Sequence, residues 1–228
     1  MNGLVTGSTY ALIALGYTMV YGVLQLINFA HGEIYMVGAF AGLLLVTVAK
    51  LPFLLALPLA MVAAALVGVT VEFVAYRPLR RSSRLAVLIS AIGMSIFLAN
   101  VGLWIWGPAT RSFLPPFQVT TLTIGYIRIS SLSLLALGIA LAMMVGLHYL
   151  VTRTKMGKAM RAVAQDRDTA ALMGISVNKT ITFTFAIGSA LAAAAGVMVG
   201  MLFNAVTPTM GIMPGLKGFV SAVLGGIG

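Results

Sequence analysis

Six long apolar runs dominate the sequence and limit the folds that are open to it. Each run approaches the roughly 20 residues that an α-helix needs to cross the hydrocarbon core of a bilayer. The runs cover residues 4–24, 31–50, 53–76, 85–106, 132–152 and 178–203. Lipid offers no water partners for backbone polar groups, so a spanning segment must satisfy them internally, as a helix does. We therefore predict an all-α fold, a polytopic membrane helical bundle that forms a single domain over residues 1–228.

A seventh apolar run begins near residue 212 but is short. Its last part, from Phe219 to Gly228, has only ten residues, which are too few to cross a bilayer as a helix. We therefore expect six complete spans and a partial seventh, in a chain that is truncated at its C-terminus. Only 8% of the residues are charged, whereas soluble domains have about a quarter, so an ordinary soluble fold is excluded.

The basic residues are concentrated in two connections between the runs. These connections hold ten of the fourteen basic residues: Arg77, Arg80, Arg81, Arg84, Arg153, Lys155, Lys158, Arg161, Arg167 and Lys179. Two spans separate the connections, so both lie on one side of the membrane, and the positive-inside rule makes that side the cytoplasm. The N-terminus is then outside. Short basic loops explain the net charge of +10, so lipid is the expected neighbour and nucleic acid is not.

The second basic connection, residues 153–178, contains a short helical pattern. Asp168 is predicted to cap a helix from Thr169 to Met173, because its side chain can accept from free N–H groups in the first turn. Gly174 suits the left-handed position that ends a helix. Apolar side chains on a charged, water-facing segment are rarely left uncovered. Ala171, Leu172, Met173 and Ile175 therefore either fill a groove on another protein or pack against the membrane ends of this chain's own helices.

Polar residues interrupt the apolar pattern at two further places. Asn28, His31 and Glu33 lie in the motif INFAHGE, between the first two spans. They either mark a break that lines a transport route or form a polar turn that caps the two helix ends. Their i, i+2 spacing does not favour a metal site. Asn204 and Thr207 follow the sixth span in a segment interrupted by Gly and Pro, which indicates either a solute route or a simple connection.

Three smaller features complete the predicted architecture. Glu72 is expected to form an ion pair with a nearby arginine. Residues 118–130 alternate loosely between polar and apolar types, which favours a small extracytoplasmic β-hairpin over the outer mouth. Small residues recur at every fourth position in the sixth span and allow close helix packing in lipid. They are Gly188, Ala192, Gly196 and Gly200, and the second span repeats the spacing with Gly38 and Gly42.

No catalytic or energy-coupling constellation is visible in the sequence. The chain has no cysteine, no phosphate-binding GxxxxGK[ST] loop and only four carboxylates. We predict no cofactor, no metal site and no enzymatic activity. Such a membrane protein is a channel, a secondary transporter, a structural subunit or a transporter that a partner powers.

Three segments of the chain resemble the integral-membrane permeases of bacterial branched-chain amino acid ABC transporters. They are GSTYALIALGYTMVYGVLQLINFAHGE (7–33), VAYRPLRRSSRLAVLISAIGMSIFL (74–98) and RTKMGKAMRAVAQDRDTAALMGISV (153–177). The resemblance implies a location in the cytoplasmic membrane. It also implies assembly with a second, identical or different, permease, two cytoplasmic ATPases and a periplasmic solute-binding protein. In such a complex Asp166 to Ile175 docks into an ATPase. Related permeases carry urea and short amides, so the choice between these substrates and branched-chain amino acids stays open.

Overall fold

The described part of the protein consists mainly of helices, most of them long, with one pair of short strands. Its structure, a computed structural model, describes residues 2–80, 82–124 and 127–227. The helices are α1 (Asn2–Leu24), α2 (His31–Thr47), α3 (Phe53–Val71), α4 (Arg84–Trp106), α5 (Ser131–Arg153), α6 (Lys155–Gln165), α7 (Arg167–Leu172), α8 (Val177–Leu202) and α9 (Ile212–Leu224). A π-helical turn, Glu72–Tyr76, extends α3, and the strands are β1 (Thr121–Ile124) and β2 (Ile127–Ser130). This architecture confirms a predominantly helical membrane bundle.

Five of the six predicted spans are helices long and apolar enough to cross a membrane. They are α1, α3 with its π-helical turn, α4, α5 and α8. The second predicted span, residues 31–50, is shorter than expected, because α2 ends at Thr47 and has 17 residues. The ring of His31, the first residue of α2, lies against Gly16 and Tyr17, about two turns before α1 ends. Helix α2 therefore begins inside the bundle.

Helix α8 lies at the centre of the bundle and packs against α1, α2 and α3. Small residues bring its backbone into contact with α2. A Cβ atom added to Gly196 would lie 2.2 Å from the carbonyl oxygen of Tyr35, and one added to Gly38 would lie 2.3 Å from the Cα of Ala193. The predicted role of the small residues is therefore confirmed, since any larger side chain would separate the two helices.

Hydrogen bonds between connections define the two ends of the bundle. At one end, the Nη1 of Arg80 donates to the Oδ1 of Asn178 over 2.6 Å, which joins the two basic connections. At the other end, Arg111 and Val206 exchange two backbone hydrogen bonds of 2.9 Å. The two basic connections therefore share one end of the bundle, as predicted. Arg81, one of the predicted basic group, lies outside the described residues.

The two strands lie within the stretch that the sequence marks as a hairpin. They pair antiparallel with Thr121 opposite Ser130 and Ile124 opposite Ile127. Residues 125 and 126, which lie within the predicted hairpin, are outside the described residues. Strand β2 leads directly into α5, whose first turn is capped by the Oγ of Ser130 accepting from the backbone N–H of Ser133. That this pair of strands lies over the outer mouth of the bundle stays a prediction.

The contact between α2 and α8 predicts how two glycine substitutions will differ. Gly196→Ala places a methyl group against backbone, and overpacking of this kind costs about 1–3 kcal/mol. We expect it to lower the thermal unfolding midpoint of the detergent-solubilised protein. Gly138→Ala is the matched control, because no atom of the described residues lies within 4 Å of a Cβ at that helical position. Equal midpoints for the two variants would contradict the close contact.

Candidate functional site

The loop over residues 153–178 folds into two short helices, α6 and α7. The Oγ1 of Thr154 caps α6 by accepting from the backbone N–H of Gly157 over 3.0 Å. One face of α6 is buried through Gly157, Met160 and Val163, while Lys155 and Lys158 are exposed. This helix therefore lies with its apolar face against the end of the bundle and its charges in water.

The N-cap of α7 is Asp166, and the prediction that Asp168 has this role is wrong. The Oδ1 of Asp166 accepts from the backbone N–H groups of Asp168 and Thr169 over 2.8 and 3.0 Å. Its Oδ2 accepts from the hydroxyl of Thr169 over 3.0 Å. A cap accepts from the second and third helical residues, so Asp168 itself lies within the first turn. The hydrogen bonds from Thr169, and then that from Asp168, lower the pKa of Asp166.

The end of α7 agrees with the sequence. Gly174 has a φ of +81°, the left-handed conformation that glycine adopts without a steric penalty. The N–H of Gly174 donates to the carbonyl of Ala171, and that of Ile175 donates to the carbonyl of Ala170, each over 3.0 Å. This pattern is a Schellman motif. Helix α7 is thus a single short unit with hydrogen-bonded ends.

The apolar side chains of this unit divide into two groups. Leu172 and Met173 are 87% and 79% exposed, and Ala171 is also exposed. Ala170 is buried, and Ile175 packs against the apolar cluster that includes it. The alternative in which the whole segment packs against the chain's own helices therefore fails for Leu172 and Met173.

Two arginines attach this loop and the adjoining connection to the bundle. Arg167 donates to the carbonyl of Leu24 at the end of α1. Arg80 forms a salt bridge with the fully buried Glu72, which confirms the predicted ion pair. The other carboxylate oxygen of Glu72 accepts from the hydroxyl of Thr182 on α8 over 2.9 Å. The ends of α1, α3 and α8 are therefore linked beside α7.

The second candidate region is the polar cluster formed by Asn28, His31 and Glu33. All three residues are buried. The N-cap residue of α2 is Ala30, and no side chain within the described residues caps this helix start, so the alternative of a polar turn that caps it is not met there. The Oδ1 of Asn28 instead accepts from the hydroxyl of Tyr76 over 3.2 Å. Within the described part of the chain, neither ring nitrogen of His31 has a hydrogen-bond partner.

Glu33 faces a cavity of about 300 Å³ between α4 and α9. Its Oε1 accepts from the hydroxyl of Ser95 on α4 over 3.1 Å. Its Oε2 has no partner among the residues that the structure describes. Sequence reasoning missed Ser95 and Tyr17, which also line this cavity. Ser90 and Ser95 both interrupt the same apolar span, so the sequence offered a polar signal but did not single out Ser95.

Asn204 and Thr207 do not join this cluster. Asn204 is exposed in the turn after α8, with a φ of +52°. Thr207 lines a separate cavity of about 270 Å³ together with Tyr10 and Tyr35. The five residues predicted for a translocation path are therefore split between two places. No group of three His, Asp or Glu side chains within residues 2–80, 82–124 and 127–227 is placed to hold a metal ion.

These features define a multi-pass helical membrane protein that has polar groups inside its bundle and a capped helix at one end. A family profile described as "Branched-chain amino acid transport system / permease component" matches residues 1–228. The chain belongs to this family of transport permeases, as its three sequence segments indicated.

Curated relatives agree with the family. The permease protein BraD of a high-affinity branched-chain amino acid transport system from Pseudomonas aeruginosa is 43% identical over 240 residues. The corresponding LivH protein of Escherichia coli K12 is 41% identical over 252 residues. Each alignment covers 100% of this chain and 78% of the relative. A probable LivH protein from Methanocaldococcus jannaschii is 27% identical, over 99% of this chain and 73% of the relative. No solved structure matches significantly.

The cap of α7 leads to a prediction that separates the two aspartates. Asp166→Ala removes the acceptor for two backbone N–H groups, so we expect faster amide exchange across residues 163–175. Hydrogen-exchange mass spectrometry measures this change, and Asp168→Ala is the control that leaves the cap intact. Faster exchange in Asp168→Ala alone would contradict the assignment of Asp166 as the cap.

The same cap predicts a pH dependence. Because folding lowers the pKa of Asp166, the cap's stabilisation is present above the ordinary aspartate pKa and is lost as the pH falls through the lowered value.

Proposed function

We propose that the chain is the permease subunit of an ATP-driven importer of branched-chain amino acids in the cytoplasmic membrane. It pairs with a second permease, identical or different, and with two cytoplasmic ATPase subunits, while a periplasmic solute-binding protein delivers the substrate. The names of its relatives support the substrate class. ATP hydrolysis belongs to the partner chains, and this chain needs no cofactor.

The observation that carries the coupling role is the exposed apolar pair on α7. Leu172 and Met173 project from a helix whose ends are fixed by Asp166 and by Gly174. An exposed apolar pair beside charged residues is typical of a surface that a partner covers. We infer that the ATPase groove takes up Asp166, Asp168, Ala171, Leu172, Met173 and Gly174, within the coupling loop 153–178, while Ile175 packs against the bundle behind them.

The attachments of α7 suggest how its movement reaches the spans. Arg167 joins the beginning of α7 to the end of α1, and a short segment joins its end to α8. A shift of α7 on closure of the ATPases would therefore displace α1 and α8 together. In this mechanism the route opens alternately to each side of the membrane. ATP can bias these two conformations only through contacts that differ between them. The route would pass Asn28, His31 and Glu33 within the bundle, and Asn204 and Thr207 at the outer side.

Replacement of Leu172 tests this role. Leu172→Asp introduces a charge into the apolar contact, and loss of a central anchor costs about 2 kcal/mol or more, roughly 30-fold in affinity. We expect lost leucine uptake and lost coupling of ATP hydrolysis, with the permease still inserted. Leu172→Met is the matched control, because it keeps an apolar side chain of similar size.

Charge reversal at Asp168 provides a second variant of the same surface. Asp168→Lys is expected to reduce uptake, because it reverses a charge on the proposed contact with the ATPase. Asp168 is exposed in the first turn of α7 and does not serve as its cap, so the helix start is kept. A channel or secondary transporter without partners would tolerate both changes. Unchanged uptake in Leu172→Asp and Asp168→Lys would therefore overturn the coupling role and favour that alternative. Uptake of urea or short amides in place of leucine would show that the substrate class is urea or short amides and not branched-chain amino acids.

A further inference from the structure

A cavity beside Glu33 combines one carboxylate with apolar walls. It has a volume of about 300 Å³ and lies where the start of α2 meets α4 and α9. Ile92 and Ile96 of α4 and Phe219 of α9 form apolar parts of its wall, and Glu33 and Ser95 supply polar atoms. Most small-ligand sites have this composition, with apolar walls and a few polar groups that set orientation.

Glu33 lacks a cationic partner within the described residues. It is only 5% exposed, and its Oε2 accepts no hydrogen bond in the described part of the chain. Among those residues the salt bridge is that between Arg80 and Glu72. A buried carboxylate is costly unless it is paired, and such groups within spans usually mark solute pathways. The free oxygen therefore points to a positive group that arrives with a ligand.

We propose that Glu33 binds the ammonium group of the transported amino acid in this cavity. This inference rests on the proposed function and adds the group that the permease itself recognises. An ammonium group carries one positive charge and three N–H donors, so one of them can reach the Oε2 that has no partner in the described chain. The isoleucines and Phe219 then contact the branched aliphatic side chain. Urea and simple amides are neutral and leave the carboxylate without a counter-charge.

Ser95 is the positioning residue of this site. Its hydroxyl donates to the Oε1 of Glu33 over 3.1 Å, which holds the carboxylate with its other oxygen available. A transport site must also release its ligand, so the binding is weak and the apolar wall selects by size only. Recognition of the ammonium charge by Glu33 thus adds to the selection that the solute-binding protein makes before it delivers the substrate.

The test uses the whole complex in proteoliposomes and measures radiolabelled leucine transported per ATP hydrolysed. Glu33→Gln keeps the shape of the side chain but removes its charge. We expect this ratio to fall about tenfold or more, the size expected for loss of a charged hydrogen bond. ATP hydrolysis stimulated by the loaded binding protein is retained. Glu33→Asp keeps the charge and restores part of the transport, which a purely structural role would not predict.

A serine pair supplies the matched control. Ser95→Ala should lower the ratio several-fold, because the carboxylate loses its orienting donor. Ser189→Ala also removes a buried hydroxyl, but Ser189 lies on α8 against Gly68 and outside the cavity. We expect no change in that variant. If the complex with Glu33→Gln fails to assemble, the two serine variants provide the test. Equal ratios of leucine transported to ATP hydrolysed for Ser95→Ala and Ser189→Ala would then overturn the proposal.

The outcomes separate this site from the proposed function. If the unmodified complex transports leucine and Glu33→Gln has the same ratio, the ammonium site is wrong and the proposed function stands. If the unmodified complex transports urea but not leucine, the proposed function is wrong, and the ammonium site fails with it. A reduced ratio in Glu33→Gln and Ser95→Ala, with Ser189→Ala unchanged, supports the site.

Discussion

Direct backbone contact between α8 and α2 is the constraint on which the rest of the bundle depends. It requires glycine or alanine on both helices, as at Gly38, Ala193 and Gly196. Lipid tails are as apolar as leucine, so close packing replaces the hydrophobic effect as the force between spans. With α8 central, α1 and α3 also pack around it, and the polar start of α2 is held inside the protein.

The charged end of the bundle depends on a different interaction. Glu72 is fully buried and is satisfied by Arg80 and by the hydroxyl of Thr182. A buried carboxylate without these partners would be strongly unfavourable, so the ends of α3 and α8 are held together. Arg167 adds the end of α1 to this group. Helix α7 is therefore attached to the spans on one side, while Leu172 and Met173 are left facing outward.

Glu33 shows the opposite arrangement within the same chain. It is almost as buried as Glu72, yet one of its oxygens has no partner among the described residues. One carboxylate thus serves the packing of the bundle, and the other faces a cavity. The sequence context reveals only the first arrangement, because Arg80 lies eight residues from Glu72, whereas Ser95 is 62 residues from Glu33.

The sequence by itself determined the membrane bundle, the position of most spans, the basic connections at one end and the family. The bundle, the spans and the basic connections follow from hydrophobicity and charge, which are sums over local residues, and the family follows from the three segments that resemble known permeases. Only the tertiary structure decided that Asp166 caps α7, that α2 begins within the bundle and that Leu172 is exposed while Ala170 is buried. It also decided which arginine pairs with Glu72 and which serine reaches Glu33. The Asp166 cap and the Arg80 pair are contacts between residues close in the chain, for which the sequence offers more than one candidate. The other outcomes depend on distances between helices far apart in the chain, and no local pattern encodes such distances.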